Sequence, residues 1–268
     1  MHRNRSGLTQ VTKQNFMLGE GAVFKNWVQG TDTFESAIAA GKCLGATQGG
    51  STFVAKANVR NIEVDGISGK VTDLDEIDSW DVSLQTNFLE VTPDTICAAL
   101  GAATKTNENG YTKIQGNTDF QSSDYFTNIA YVGSMSGTNL PIVLVVKNAI
   151  GNGELNIAVK NNDESKVPCT FEGRYSVATL GTVPFEIYRP DTIQASNYNV
   201  SVAKNSTATV TVTGYQTSIT AVSSNTAKAT VSVSSGTVTI SGVAAGECKV
   251  TITDVAGNAT VVNVTVTA

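Results

Sequence analysis

Residues 197–266 alternate β-branched apolar side chains with small polar ones at period two, seven times in succession. NYNVSV, STATVTVT, SITAVS, AKATVSV, GTVTIS, ECKVTIT and NATVVNVTV carry the alternation, and KN, TGYQT, SSNT, SSG, GVAAG and DVAG between them are turn chemistry. A period of two sends successive side chains to opposite faces of a strand, so each segment can bury one face and wet the other. Seven short strands of this kind predict a two-sheet β-sandwich. Cys248 is the one cysteine in this stretch and no Trp lies there, so neither an inter-sheet disulfide nor a core Trp can hold it.

The composition changes sharply just before this segment. Residues 1–190 carry a net charge of −5, both Trp and all nine Phe, whereas residues 191–268 balance Lys204, Lys228 and Lys249 against Asp191, Glu247 and Asp254. The change falls at the turn signal Tyr188–Asp191 and predicts two domains, 1–190 and 191–268.

The first domain is also read as mainly β. FVAKANVRNIEVDGI and IDSWDVSLQTNFLEV are strand-like runs joined by the polar SGKVTDLDE, and YFTNIAYVGSM, LPIVLVVKNAI, GELNIAVK and VPCTFEGRYSV add four more. One helix stands out in TPDTICAALGAA, with Thr92 as N-cap, Pro93 at the first helical position, Gly101 as the stop, and Ile96, Ala99 and Leu100 facing a core. In DTFESAIAA, Asp32 and Glu35 have capping-box spacing, but the run is short enough to be helix or loop. The fold class is therefore all-β with one short helix. Within Ile77–Val91, Trp80, Val82, Leu84 and Phe88 fall on one face and Asp81, Ser83, Gln85 and Asn87 on the other, as in a sheet packed on a core on one side only.

Several constellations look like chemistry and are read otherwise. His2 is the one histidine, which removes Ser-His-Asp, Cys-His and histidine-rich zinc sites. Cys43, Cys97, Cys169 and Cys248 are far apart in sequence and lack metal or redox spacing, so they read as reduced core hydrophobes rather than a disulfide or a reactive thiol. The acidic run with Asp73, Asp75, Glu76, Asp78 and Asp81 lacks the glycine and the distant glutamate of a calcium loop. It reads instead as a solvated loop with Arg3, Arg5 and Lys13 as candidate partners. The glycine clusters at 19–21, 48–50 and 151–153 precede no Lys-Ser/Thr and read as turns. The sequons at Asn199, Asn205, Asn258 and Asn263 are expected by chance in so Thr- and Ser-rich a segment. No catalytic, cofactor-binding or metal-binding residue is assigned, and an enzyme is not expected. The N-terminal MHRNRSGLTQVTKQ is basic but leads into no apolar core, so it does not read as a secretory signal, and no apolar run is long enough for a membrane span.

Two resemblances follow from the order of these pieces. GTVTISGVAAGECKVTITDVAGNATVVNVTV resembles the ending of bacterial group 2 immunoglobulin-like domains, which implies an immunoglobulin-like sandwich for residues 191–268. Across residues 40–190, KCLGATQGGSTF, RNIEVDGISGKV, WDVSLQTNFLEVTPDTICAALGA, VPCTFEGRYS and VPFEIYRP, in that order, resemble the tail tube family of long-tailed phages. That resemblance implies a tail-tube β-sandwich that forms stacked hexameric rings, with DNA passing through the lumen without specific binding. It implies a virion protein assembled in the host cytoplasm whose partners are its own copies and other tail proteins. Asp81, Ser83, Gln85 and Asn87 would line the lumen, although the same face suits an ordinary solvated sheet. The loop holding Asp73, Asp75, Glu76 and Asp78 would reach the adjacent ring. The immunoglobulin-like domain would decorate the exterior, with weak glycan contact as a possible role. The alternative is a cell-surface or carbohydrate-binding adhesin built from β modules. No cofactor and no membrane insertion is expected under either reading.

Overall fold

A computed structural model describes residues 12, 15–17, 19–159, 161 and 164–268, and the backbone alone at 13 and 14. The fold is all-β. Its strands are β1 (Gly21–Lys25), β2 (Thr47–Asn61), β3 (Asp75–Phe88), β4 (Ala103–Glu108), β5 (Tyr111–Gly116), β6 (Phe126–Gly133), β7 (Ile142–Gly151), β8 (Val167–Glu172) and β9 (Phe185–Tyr188). They continue with β10 (Gln194–Ala195), β11 (Asn199–Ala203), β12 (Thr207–Thr213), β13 (Ile219–Ser223), β14 (Ala229–Ser234), β15 (Thr237–Gly242), β16 (Gly246–Asp254) and β17 (Ala259–Thr267). Two α-helices accompany them, α1 (Phe34–Ala39) and α2 (Pro93–Leu100). The chain forms two compact units. One is Gly21–Val132 with Val143–Tyr188, and the other joins Arg189–Ala268 to Gly133–Ile142 and the described part of the first twenty residues.

In the first unit the strand order is β1-β6-β7-β8-β3-β2, and β9 also pairs with β7. Strand β7 serves two neighbours in turn: Val143–Val146 pair with β9, and Ile150–Gly151 pair with β8. Between them Asn148 sits at φ +46°, a left-handed conformation that Asn tolerates and that bends the strand from one layer to the other. One core fills the space between the layers, with Leu84, Phe88, Ile129, Val146 and Phe171 at its centre. A second core, with Phe24, Trp27, Val132 and Val143, lies on the other side of β1, β6 and β7 and is closed by Ala37 of α1. Burial on both faces explains why NIAYV and IVLVV read as continuous apolar runs, while β3, buried on one face, alternates.

The expected helix α2 is present, with Thr92 as N-cap, Pro93 at the first position and Gly101 at φ +72° as the stop. Its buried face is Thr95, Ala98 and Ala99; Ile96 and Leu100 are only half-buried, because the helix lies so close to β7 that small residues must face it. A second helix also forms. Thr33 caps α1 through a reciprocal pair with Ser36, while Asp32 accepts from the Val28 amide at 2.7 Å and from Lys42 Nζ at 2.6 Å. Residues 153–159 form no strand, despite their alternation. Strand β1 and the β4–β5 hairpin carry no expectation from the sequence reading, although Asn109-Gly110, both at positive φ, is a strong hairpin signal.

In the second unit all seven expected strands form, joined by the two-residue β10. They make two four-stranded sheets, β10-β12-β15-β14 and β11-β17-β16-β13, an immunoglobulin-like sandwich around Val210, Val238, Ile240, Val250, Ile252 and Val262. The outward faces differ. On the first sheet, ladder register sets Thr207 opposite Ser241 and Ser241 opposite Thr230. The next two rows are Thr209–Thr239–Ser232 and Thr211–Thr237–Ser234. On the second sheet Thr251 stands between Val222 and Val261, and Lys249 and Glu247 interrupt the face with charge.

Two turns of this unit meet at Asp254. Its carboxylate is nearly inaccessible, 6% exposed, and accepts from the Gln216, Ala256 and Asn258 amides and from Asn258 Nδ2, all at 2.9–3.0 Å. The Gln216 bond steadies a tight turn in which the Ser218 amide donates to Gln216 O around Thr217 at φ +59°, an unusual conformation for a β-branched residue. Asn258, one of the four sequons, is itself buried; its Oδ1 accepts the Asn139 amide at 2.7 Å.

Candidate functional site

The β2–β3 ribbon carries the predicted site residues. Fifteen residues of β2 pair with fourteen of β3, but β3 continues to β8 only over Ser83–Phe88. The half of the ribbon nearest the connecting loop therefore has no third strand, and β2 ends the sheet order with its far side unpaired among the described residues.

The predicted division of β3 holds. Val82, Leu84 and Phe88 are buried and Trp80 half-buried, while Asp81 and Gln85 are exposed and Ser83 and Asn87 half-exposed on the opposite face. Opposite them on β2 lie Lys56 against Asp81, Val54 against Ser83 and Thr52 against Gln85. Asn58 Nδ2 donates to Ser79 Oγ and to Asp81 Oδ2, each at 3.0 Å. The face is thus polar and nearly charge-balanced.

The acidic loop needs correction. Asp75, Glu76 and Asp78 are strand residues of β3, and of the four predicted loop residues Asp73 alone lies in the connection, at φ +67°. Arg60 on β2 stands directly opposite Glu76 and bridges it at 2.7 Å and Asp78 at 3.2 Å, while Asn61 Nδ2 donates to Asp75 at 2.7 Å. A residue and its cross-strand neighbours are the natural ion-pair unit of a sheet, so Arg60 offsets part of this acidity within the ribbon. Arg3 and Arg5 lie outside the described residues, as does the Lys13 side chain.

A feature the sequence reading missed sits beside this cluster. The ladder shifts register between Asn58 and Val59. The extra residue is Asp78 on β3, so Val59 continues the face of Phe53, Ala55 and Ala57 while Ile77 is turned to stand opposite it; both are more than half exposed. Ile62, Val64 and Ile67 of the connection are exposed as well. Near the other end, Gly49 and Gly50 are not a turn; at φ +89° and +81° they form a second register shift within β2, between Thr47 and Ser51.

Other polar clusters act as braces. Both Asp94 carboxylate oxygens are taken, one by Lys25 at 3.2 Å and one by Lys105, and the Lys105 bond is the main cause holding that carboxyl below the usual range. Asp94 and Glu90 border an open hollow of about 580 Å³ between α2 and the β4–β5 hairpin; Glu90 is occupied by the Ala46 amide at 2.8 Å. The four cysteines are free; burial pushes the Cys169 thiol up to about 12 and raises that of Cys97. Among the described residues no cluster of three or more His, Cys, Asp or Glu could hold a metal ion, and no helix is long and apolar enough to cross a membrane.

No family model and no curated protein matches the chain. Solved structures of the S-layer protein SbsC show a distant likeness. Its domains 4 and 5 are 23% identical over 61% of this chain and 89% of that one, with a TM-score of 0.27. A fragment comprising SbsC residues 31–844 is 16% identical over 81% of this chain and half of that one, and domains 1–6 are 16% identical over 96% and half, again with TM-scores of 0.27. At that level the likeness carries no argument about fold or function.

Proposed function

We propose that this chain is a non-enzymatic structural subunit that polymerises by adding copies along the open edge of β2, as a phage tail tube subunit would. The carrying observation is that edge: fifteen residues of strand whose outer backbone groups have no partner among the described residues. An exposed strand edge of this length is a template for another chain. The strand holds no Pro, one of the means by which a monomer protects such an edge.

The polar face is compatible with a conduit. If copies close a ring, Asp81, Ser83, Gln85 and Asn87 face one side of it with Lys56. DNA carries about one negative charge per 1.7 Å of axis, so a basic lining would hold it, whereas a nearly neutral one lets it slide. Under this reading the rings are hexameric and stacked, the exposed Val59, Ile62, Val64, Ile67 and Ile77 bury against the next ring, and the immunoglobulin-like domain decorates the exterior. The setting is a virion tail assembled in the host cytoplasm, with other tail proteins at the tube ends. Ring contact by the ribbon thus rests on apolar burial rather than on Glu76 and Asp78, which Arg60 already partners.

Negative-stain microscopy of the concentrated full-length protein is expected to show six-fold rings or tubes. Val54→Lys, at an exposed site on the edge strand, is expected to keep the fold and reduce assembly at least tenfold, because each copy would bring a new cation to its neighbour. Persistent monomers at all concentrations and salt conditions would exclude the reading and favour a monomeric adhesin.

A further inference from the structure

We infer that the hollow between α2 and the β4–β5 hairpin receives the β2–β3 connection of a second copy of the chain, so that copies also join end to end. This contact rests on the polymerising subunit proposed above and gives its ribbon tip a seat. The two parts cannot meet within one chain. The connection, residues 62–74, leaves β2 at Asn61 and enters β3 at Asp75. The hollow is lined by Cys43 and Leu44, just before β2, and by Glu90 and Pro93, just after β3. Tip and hollow therefore stand at opposite ends of one ribbon, with about 43 Å of β3 between them at about 3.3 Å per residue. A projection at one end and a recess at the other make a heterologous contact, which propagates head to tail as an open stack.

The projection is built as a knob. Gly66 and Gly69, at φ +85° and +102°, turn the chain on either side of Ile67, and neither β-carbon position meets another atom within 4 Å. Ile67 is 53% exposed, and Lys70 is exposed with no partner among the described residues. The recess answers both groups. Leu44, Cys43 and Pro93 give its lining an apolar part, and Glu90 gives it a carboxylate. One Glu90 oxygen accepts the Ala46 amide at 2.8 Å, and the other has no partner among the described residues. At about 580 Å³ the hollow is large enough for a small ligand, but its polar groups do not converge on one. Asp94 is taken up by Lys25 and Lys105, and Asn107 accepts from Thr112. A loop tip with one aliphatic side chain and one cation fits the apolar lining and the free carboxylate oxygen. Such a seat also accounts for the hairpin, a two-stranded ribbon largely wet on both sides and marginal by itself.

Cys43 makes the contact measurable. In full-length Ile67→Cys, oxidation of the concentrated protein with diamide is expected to join the introduced thiol to Cys43 of another copy. The product would be a ladder on a non-reducing gel and a single linked peptide pair by mass spectrometry. A disulfide needs Cα atoms within about 7 Å, so the link cannot form inside one chain. Adding Cys43→Ser is expected to reduce the ladder at least tenfold, and Val222→Cys, 65% exposed in the second unit, to give no link to Cys43. Lys70→Glu is expected to shorten stacks at least tenfold while single rings persist, and Lys70→Arg to stay within about twofold of the parent. Assemblies that form without the link to Cys43 overturn the end-to-end contact and leave growth along β2 standing. Absence of both link and assembly overturns the two together. A ladder undiminished by Cys43→Ser, or Lys70→Glu stacks of parental length, also overturns the contact.

Discussion

Replacing Gly151 by Ala is expected to lower the stability of the first unit by about 3 kcal/mol, at the upper end of what overpacking costs. A β-carbon at Gly151 would lie 1.9 Å from the Ala98 carbonyl oxygen and 3.1 Å from that of Ala99, so the obstacle is helix backbone rather than a side chain that can swing aside. Gly101 makes the reciprocal approach, its β-carbon position lying 2.5 Å from the Gly151 carbonyl oxygen. Helix α2 and the end of β7 are thus in backbone contact, and either the helix or the strand must move. For a unit of this size the loss corresponds to a fall of about 6–12 °C in Tm. Both Trp residues, Trp27 and Trp80, belong to this unit, so tryptophan fluorescence follows its melting without interference from the other. Gly181→Ala, where a β-carbon meets nothing within 4 Å, is the control and is expected to melt with the parent. An unchanged melt for Gly151→Ala would show that α2 does not seat on β7 as described.

The second large effect belongs to Asp254. Asp254→Ala leaves the Gln216, Ala256 and Asn258 amides and the Asn258 carboxamide without their acceptor in a buried turn. An unsatisfied buried donor costs about 1–3 kcal/mol; with water entering the vacated space, the total is expected to be about 3–4 kcal/mol. Tryptophan fluorescence should barely register the change, while far-ultraviolet circular dichroism should show an early partial melt. The pH dependence has a definite sign. Burial pushes the Asp254 carboxyl upward, but the N–H donors of Gln216, Asn258 and Ala256 outweigh it and hold the group below its ordinary value of 3.8. A carboxylate whose folded pKa is depressed contributes stability that is fully present above its unfolded pKa, about 3.9. That contribution is lost as pH falls through the folded value. The parent should therefore lose more stability than Asp254→Ala on going from pH 5 to pH 2.5. Parallel losses would mean that the carboxylate is not engaged as described.

Much of this molecule was legible in its sequence wherever one face of a strand is buried and the other wet. That condition holds throughout the second unit, and its seven strands appear where alternation placed them; β10, with two residues, is too short to show a period. It also holds for β3, whose core and polar faces divide as expected. Alternation fails as a guide where both faces share one environment. Strands β4 and β5 are largely wet on both sides and drew no expectation, although their Asn-Gly turn was a usable signal. Residues 153–159 alternate without a ladder, which depends on a free neighbouring edge that no local pattern reports. The candidate site was half legible for a related reason. A single register shift, with Asp78 as the extra residue of β3, aligns Arg60 with Glu76 and sets Val59 opposite Ile77, changing the ribbon from an acidic loop into a strand pair with an internal ion pair and an exposed aliphatic pair. Helix α1 shows the same dependence on detail: the cap is Thr33 with Ser36, one residue on from the pair that the spacing suggested.

Amide hydrogen exchange along β2, compared between dilute and concentrated protein, tests the polymerisation claim most directly. Slowed exchange is expected at those amides of Thr47–Asn61 that point away from β3, by at least a hundredfold once copies pair along the edge, with residues 199–267 unchanged. Assemblies whose β2 amides still exchange as fast as in the monomer would contradict the account, as would a protein that never associates.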